Sequence, residues 1–150
     1  MAHLFVPLPH DLEIPTCFNV DGAVGKPPAQ NLREDVLLVQ FLLNTWGNQP
    51  GTRGGQAKPL ARMVRVTGII DPVTIDAIVA FQQSDLMPQA TVDGRVSPAK
   101  GRDYGAAIYT IVQLNSLVQD RNLAIWPRID LIPGTHPEIV AMVIRTVVGV

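Results

Sequence analysis

One cysteine in 150 residues, Cys17, leaves no partner for an internal disulfide and no cysteine-built zinc site. Aromatic residues make up only 5%, few for a surface that grips sugars or bases by stacking. Charged residues reach 17%, below the roughly 25% of typical soluble domains. The 12 cations and 13 acids sum to −1, so no global field recruits nucleic acid or an anionic membrane. No apolar run reaches the roughly 18 residues that span a bilayer, and the longest candidate, 139–148, contains Arg145. The N-terminus lacks an early Lys or Arg and is broken by Pro7 and Pro9, unlike a secretory signal. The expectation is synthesis in the cytoplasm, with any export to the periplasm or cell envelope by a non-classical route.

What is present is apolar. Hydrophobic residues reach 47%, which excludes disorder and suggests that some apolar surface is covered by other structure. Twelve glycines and thirteen prolines predict many punctuated loops. Residues 1–30, with Pro7, Pro9, Pro15, Pro27 and Pro28, read as an extended arm with a short strand within 13–20. A first helix begins at Asn31, where Asn31 and Glu34 have capping-box spacing. From 36 to 43 it is apolar except for Gln40, the pattern of a helix buried on several faces, and Gly47 reads as its stop.

Residues 47–65 read as a long Gly/Pro loop that carries Arg53, Lys58, Arg62 and Arg65 and no acid. A second helix starts at Asp71-Pro72, Asp as N-cap and Pro at the first helical position, and continues through Ile75, Ile78, Val79 and Phe81. Ser97-Pro98 repeats that start signal for a short helical turn. A third long helix is predicted over 104–120. A fourth opens at a capping box, Thr135-His136-Pro137-Glu138, and runs toward Val147, its Val and Ile content leaving a strand as the alternative.

The most informative pattern is an internal repeat. Val66-Thr67-Gly68-Ile69-Ile70-Asp71-Pro72 and Val92-Asp93-Gly94-Arg95-Val96-Ser97-Pro98 align position for position, 26 residues apart. Each sets a glycine turn, an inward aliphatic residue two positions later and a helix start in the same order. Val20-Asp21-Gly22-Ala23-Val24 is a fainter third copy.

Candidate chemistry is sparse. Asp71 and Asp93 form a conceivable carboxylate pair, but each sits where local backbone bonding wants an Asp. Nothing in the sequence brings Cys17 to His10 or His136 as a nucleophile–base pair. His3, His10 and His136 lack metal-ligand spacing, and Gly51-x-x-Gly54-Gly55 lacks the Lys-Ser/Thr end of a phosphate loop. No catalytic residue, metal or cofactor is therefore assigned. The basic residues of 47–65 are either a solvated loop or a contact for an anionic partner. Gln40 and Asn44, one turn apart, either hydrogen-bond a sugar or satisfy nearby backbone.

Three stretches together resemble the peptidoglycan-binding-like domain family. They are Asp35-Val36-x-x-Val39-Gln40-x-x-Leu43-Asn44, then Gly68-Ile69-Ile70-Asp71-Pro72-x-Thr74-x-x-Ala77-x-x-Ala80-Phe81-Gln82, then Val92-Asp93-Gly94-x-Val96-x-Pro98. The resemblance covers about residues 31–118, with Thr67 standing where the family usually has Asp. It implies a mainly α fold: a three-helix bundle with helix–turn repeats over 31–121, flanked by the N-terminal arm and a C-terminal helical extension over 122–150. It also implies a non-catalytic module that binds peptidoglycan. The missing signal and the apolar surplus suit a second use of the scaffold, as an adaptor docking other subunits or its own copies in a phage, contractile injection or secretion assembly.

Overall fold

Nine consecutive residues, 35–43, are all buried, so this stretch of the first helix shows no face to solvent. A computed structural model, describing residues 2–5, 17–88, 91–100 and 109–149, shows why. The helix α1 (Arg33–Gly47) is central, and α2 (Ala57–Arg62), α4 (Thr110–Asp120), α5 (Pro137–Val143) and the short strand β3 (Val24–Gly25) pack around it. The helix α3 (Pro72–Gln83) packs against α2. The fold is mainly helical, as expected. Strands are short and paired antiparallel: β1 (His3–Phe5) with β2 (Cys17–Asn19), and β3 with β4 (Arg95–Val96).

The apolar surplus of α1 is covered by the chain itself. One core cluster gathers Phe18, Val24, Leu38, Phe81, Leu114 and Met142, residues far apart along the chain. At roughly 1.5–3 kcal/mol for each large side chain buried, this enclosure accounts for so apolar a helix without a partner. Ala2, Cys17 and Phe18 near the N-terminus, and Ile139, Met142 and Val143 of α5, are therefore part of the core. Phe18 meets the edge of Trp126 at 5.8 Å, and Trp46 meets Phe81 at 5.1 Å.

Several local expectations need correction. The capping box at Asn31 does not form: Leu32 is the N-cap of α1 and makes no side-chain cap bond. The Asn31 carboxamide is instead engaged by Gly25, accepting from its N–H at 2.8 Å and donating to its carbonyl at 3.1 Å. Glu34 pairs with Arg145 at 2.9 Å. The helix α1 ends at Gly47 as expected, and the need for glycine there is space: a Cβ would overlap the backbone of Arg62. The segment 47–65 is not simply a loop, because α2 lies within it. Pro59 stands in the first turn of α2, where a missing N–H breaks no helical bond.

The Asp71-Pro72 start is observed as read, with Asp71 Oδ1 accepting the N–H of Thr74 at 2.7 Å. Ser97-Pro98 does not begin a helix; residues 97–100 run irregularly. Asn19 holds them, accepting from the N–H of Ala99 and donating to its carbonyl, both at 3.0 Å. The third long helix is seen from Thr110, and its predicted start at 104 lies outside the described residues, as does the first part of the strand predicted within 13–20. His136, not Thr135, caps α5, its Nδ1 accepting from the N–H of Glu138. The Thr135 hydroxyl faces the carbonyls of Ile129 and Ile132 instead. Beyond α5 the chain widens into a π turn, Ile144–Val148, and is helical rather than strand.

Candidate binding site

The two copies of the repeat are built alike. Gly68 and Gly94 both take positive φ, +80° and +70°, a conformation that favours glycine. Each turn is clamped by a glutamine from an earlier helix. Gln40 Oε1 accepts the N–H groups of Thr67 and Gly68, both at 2.9 Å, and its Nε2 donates to the Ile69 carbonyl at 3.0 Å. Gln82 Oε1 accepts the N–H of Gly94 at 3.0 Å, and its Nε2 donates to the Arg95 carbonyl at 2.8 Å. Each amide also reaches a threonine on the helix that follows, Thr74 for Gln40 and Thr110 for Gln82. The difference at the first position is absorbed locally. Asp93 Oδ1 accepts from the N–H of Arg95, and Thr67 Oγ1 accepts from the N–H of Ile69. The faint third copy departs, because Gly22 is held by the carboxylate of Asp35.

These bonds settle where the polar candidates on α1 spend their hydrogen-bonding capacity. Gln40 is fully buried and serves the Gly68 turn. Asn44 donates to the carbonyls of Arg62 and Val64 at 3.1 and 3.0 Å. Both spend their amide N–H groups within the chain; Gln40 is enclosed, whereas Asn44 is half-buried. Gly68, Asp71, Pro72, Asp93 and Gly94 are turn and cap residues in the observed geometry.

The basic residues divide. Lys58, only 5% exposed, stands over the Trp46 ring at 5.5 Å and donates to the Pro50 carbonyl at 3.3 Å. Arg121, from the end of α4, donates to that same carbonyl at 3.4 Å. Arg62 donates to the Gly47 carbonyl at 3.0 Å. Burial first, then the charges of Arg121 and Arg62, hold the Lys58 ammonium below the ordinary lysine range. Arg33 and Arg145 are neutralised by Glu138 and Glu34, and Arg128 by Asp130. No carboxylate among the described residues stands within ion-pair distance of Lys58, Arg62 or Arg121.

Beside Pro50 is a cavity of about 300 Å³ whose lining includes Trp46, Gln49, Arg53, Lys58, Asp120 and Arg121. A neighbouring hollow of about 610 Å³, reaching Asn48 and Pro133, shares Gln49, Pro50 and Arg121 with it. Thus Arg53 and Lys58 converge on one place, with Arg62 near enough to act on Lys58. Arg65 is exposed and lines neither cavity. Arg121 and Gln49 are the residues that sequence reading missed; Arg121 is 71 positions from Pro50, so no local spacing joins them.

The remaining candidates are otherwise engaged. Cys17 is fully buried, and burial pushes its thiol up to about 12. His3 pairs with Asp21 at 3.0 Å, and His10 lies outside the described residues. Among the described residues, no three His, Cys, Asp or Glu side chains are grouped to hold a metal, and no helix is long and apolar enough to cross a membrane. No protein-family model, curated protein or solved structure matches the chain.

Proposed function

We propose that this chain is a non-catalytic binding module of the peptidoglycan-binding-like kind, whose cationic cavity meets anionic groups of the cell wall, the carboxylates of peptide stems. The observation that carries the reading is the convergence of Lys58 and Arg121 on the Pro50 carbonyl, with no carboxylate among the described residues within ion-pair distance of either. Like charges held close together, one of them largely out of water, are unfavourable until an anion joins them. The repeated glycine turns, each clamped by a buried glutamine, support the helix–turn unit on which the resemblance rests. The self-covered α1 removes one argument for an obligatory protein partner.

Co-sedimentation with purified peptidoglycan sacculi tests the proposal. Wild type is expected in the pellet, Arg53→Ala/Arg121→Ala in the supernatant, and Arg65→Ala with wild type. Wild type remaining in the supernatant overturns it.

A second reading, an adaptor subunit of a phage, contractile injection or secretion assembly, is favoured by Met63 and Ile69, which are 64% and 67% exposed. Light scattering on the isolated chain checks for self-association. A stable oligomer that Met63→Ser/Ile69→Ser returns to monomer supports that reading.

A further inference from the structure

We infer that the cavity beside Pro50 is a subsite for the free α-carboxylate of a short peptide, held between Lys58 and Arg121. The inference rests on the binding role proposed above for the origin of the peptide, and on the cavity alone for its chemistry.

The two cations now share one neutral acceptor at 3.3 and 3.4 Å. Those separations exceed the roughly 2.7–3.2 Å of good N–H···O bonds. A carboxylate offers two oxygens and a full charge, and its bonds to cationic donors are shorter and stronger. Both side chains keep donors for it, since an ammonium carries three N–H groups and a guanidinium five. Burial first, and then the charges of Arg121 and Arg62, lower the proton affinity of Lys58, and a bound anion offsets that second part.

Gln49 extends the site from an anion hole to a peptide site. It lines both cavities, and its Nε2 is buried without an acceptor. A small swing of that amide toward the cavity breaks no bond at Nε2 and supplies a donor for a peptide carbonyl. Trp46 and Leu117, both largely buried, give the lining an apolar part for a small side chain. A volume of about 300 Å³ lies at the small end of the roughly 300–1,000 Å³ of ligand sites, so it suits one or two small residues. Asp120 is the one carboxylate in the lining among the described residues, against Arg53, Lys58 and Arg121. It repels additional negative charge and favours a singly charged carboxylate over a phosphate dianion.

Calorimetric titration of the full chain with N-acetyl-glycylglycine, its C-terminal amide and inorganic phosphate tests the inference. The achiral dipeptide reports the carboxylate and amide alone. The acid is expected to bind at least about tenfold more tightly than the amide, and more tightly than phosphate. Arg121→Gln and Lys58→Met are expected to weaken the acid about tenfold, leaving Arg65→Gln like wild type. Because Lys58→Met also alters the packing on Trp46, the exposed Arg121→Gln decides alone if the first variant fails to fold. Equal binding of acid and amide, phosphate bound as tightly as the acid, no saturable binding of the acid, or wild-type affinity in Arg121→Gln each overturns the subsite. Sacculi bound without dipeptide binding refutes the subsite and spares the wall reading; dipeptide bound without sacculi does the reverse.

Discussion

The side chain of Gln40, on the central helix, accepts the N–H of Gly68 at 2.9 Å, 28 positions along the chain. Gln82 has the same relation to Gly94 only 12 positions away. Helix, amide clamp and positive-φ glycine therefore recur as a unit, although α2 is interposed in the first copy. The clamp matches what the turn needs, since one carboxamide offers an acceptor to N–H groups and a donor to the carbonyl beside them.

Removing a clamp strands buried backbone. Gln40→Leu leaves the buried N–H of Gly68 without its partner and takes one bond each from the N–H of Thr67 and the carbonyl of Ile69, which still accepts from the Thr67 hydroxyl. With an unsatisfied buried group costing about 1–3 kcal/mol, the substitution is expected to destabilise by an amount in that range. Gln82→Leu is expected to act similarly at Gly94 and Arg95. Urea unfolding with unchanged m-values measures both; a shift under about 1 kcal/mol removes the clamp from the account.

Glycine substitutions separate two reasons for glycine. At Gly68 a Cβ would press on the flexible side chain of Arg33, and the main burden is the positive φ; Gly68→Ala is expected to cost about 1–2 kcal/mol. At Gly47 the obstruction is the backbone of Arg62, which cannot swing aside without moving α2. Gly47→Ala is expected to cost more than Gly68→Ala and to loosen α2. Amide exchange in 57–62 reads that loosening directly, and an unchanged pattern there contradicts the close-approach argument.

What was legible in the sequence was local. Asp71 caps Thr74 three residues away, and the conformation of Gly68 and Gly94 belongs to the turns themselves, so spacing alone exposed them. What was hidden depends on partners far along the chain. Asn31 and Glu34 have capping-box spacing, yet their side chains are claimed by Gly25 and Arg145. The helix α2 looked like loop because Gly54 and Gly55 precede it and Pro59 lies within it, a short sequence stabilised by packing on α1 and α3. The candidate site was half visible: Arg53 and Lys58 stood out as basic residues without acids, whereas Arg121 and Gln49 become meaningful only once α4 ends beside Pro50.

Asp35 is a buried carboxylate that accepts the N–H groups of Asp21 and Gly22. Burial raises its pKa above the usual carboxylate value, with the two backbone bonds opposing. The folded state thus holds a proton more tightly than the unfolded chain, and this contribution to stability is full at acid pH and lost as pH rises through the folded pKa. Asp35→Ala removes the acceptor and is expected to cost about 2–4 kcal/mol at pH 7 from two stranded N–H groups. Asp35→Asn keeps one acceptor oxygen without the buried charge and is expected to cost less, with a flatter stability profile from pH 4 upward. Equal losses in the two variants would falsify the assigned role.

Cys17 supplies a second titration with a defined window. Its thiol is fully buried in β2, and burial raises its pKa from 9.0 to about 12. Above pH 9 the unfolded chain gives up this proton while the native state keeps it, so the unfolded state binds fewer protons and stability falls with rising pH. The contribution is whole below pH 9 and declines by about 1.4 kcal/mol per pH unit between 9 and 12. Lysines and tyrosines titrate in the same range, so the informative quantity is the difference between wild type and Cys17→Ala. That difference is expected to shrink as pH climbs from 9 to 11. The same burial makes the native thiol inert, because the thiolate is the reacting species. A thiol-specific reagent at pH 8 is expected to label Cys17 only after denaturant is added. Prompt labelling of the folded chain, or a stability difference independent of pH, would show that β2 opens far more readily than its buried place requires.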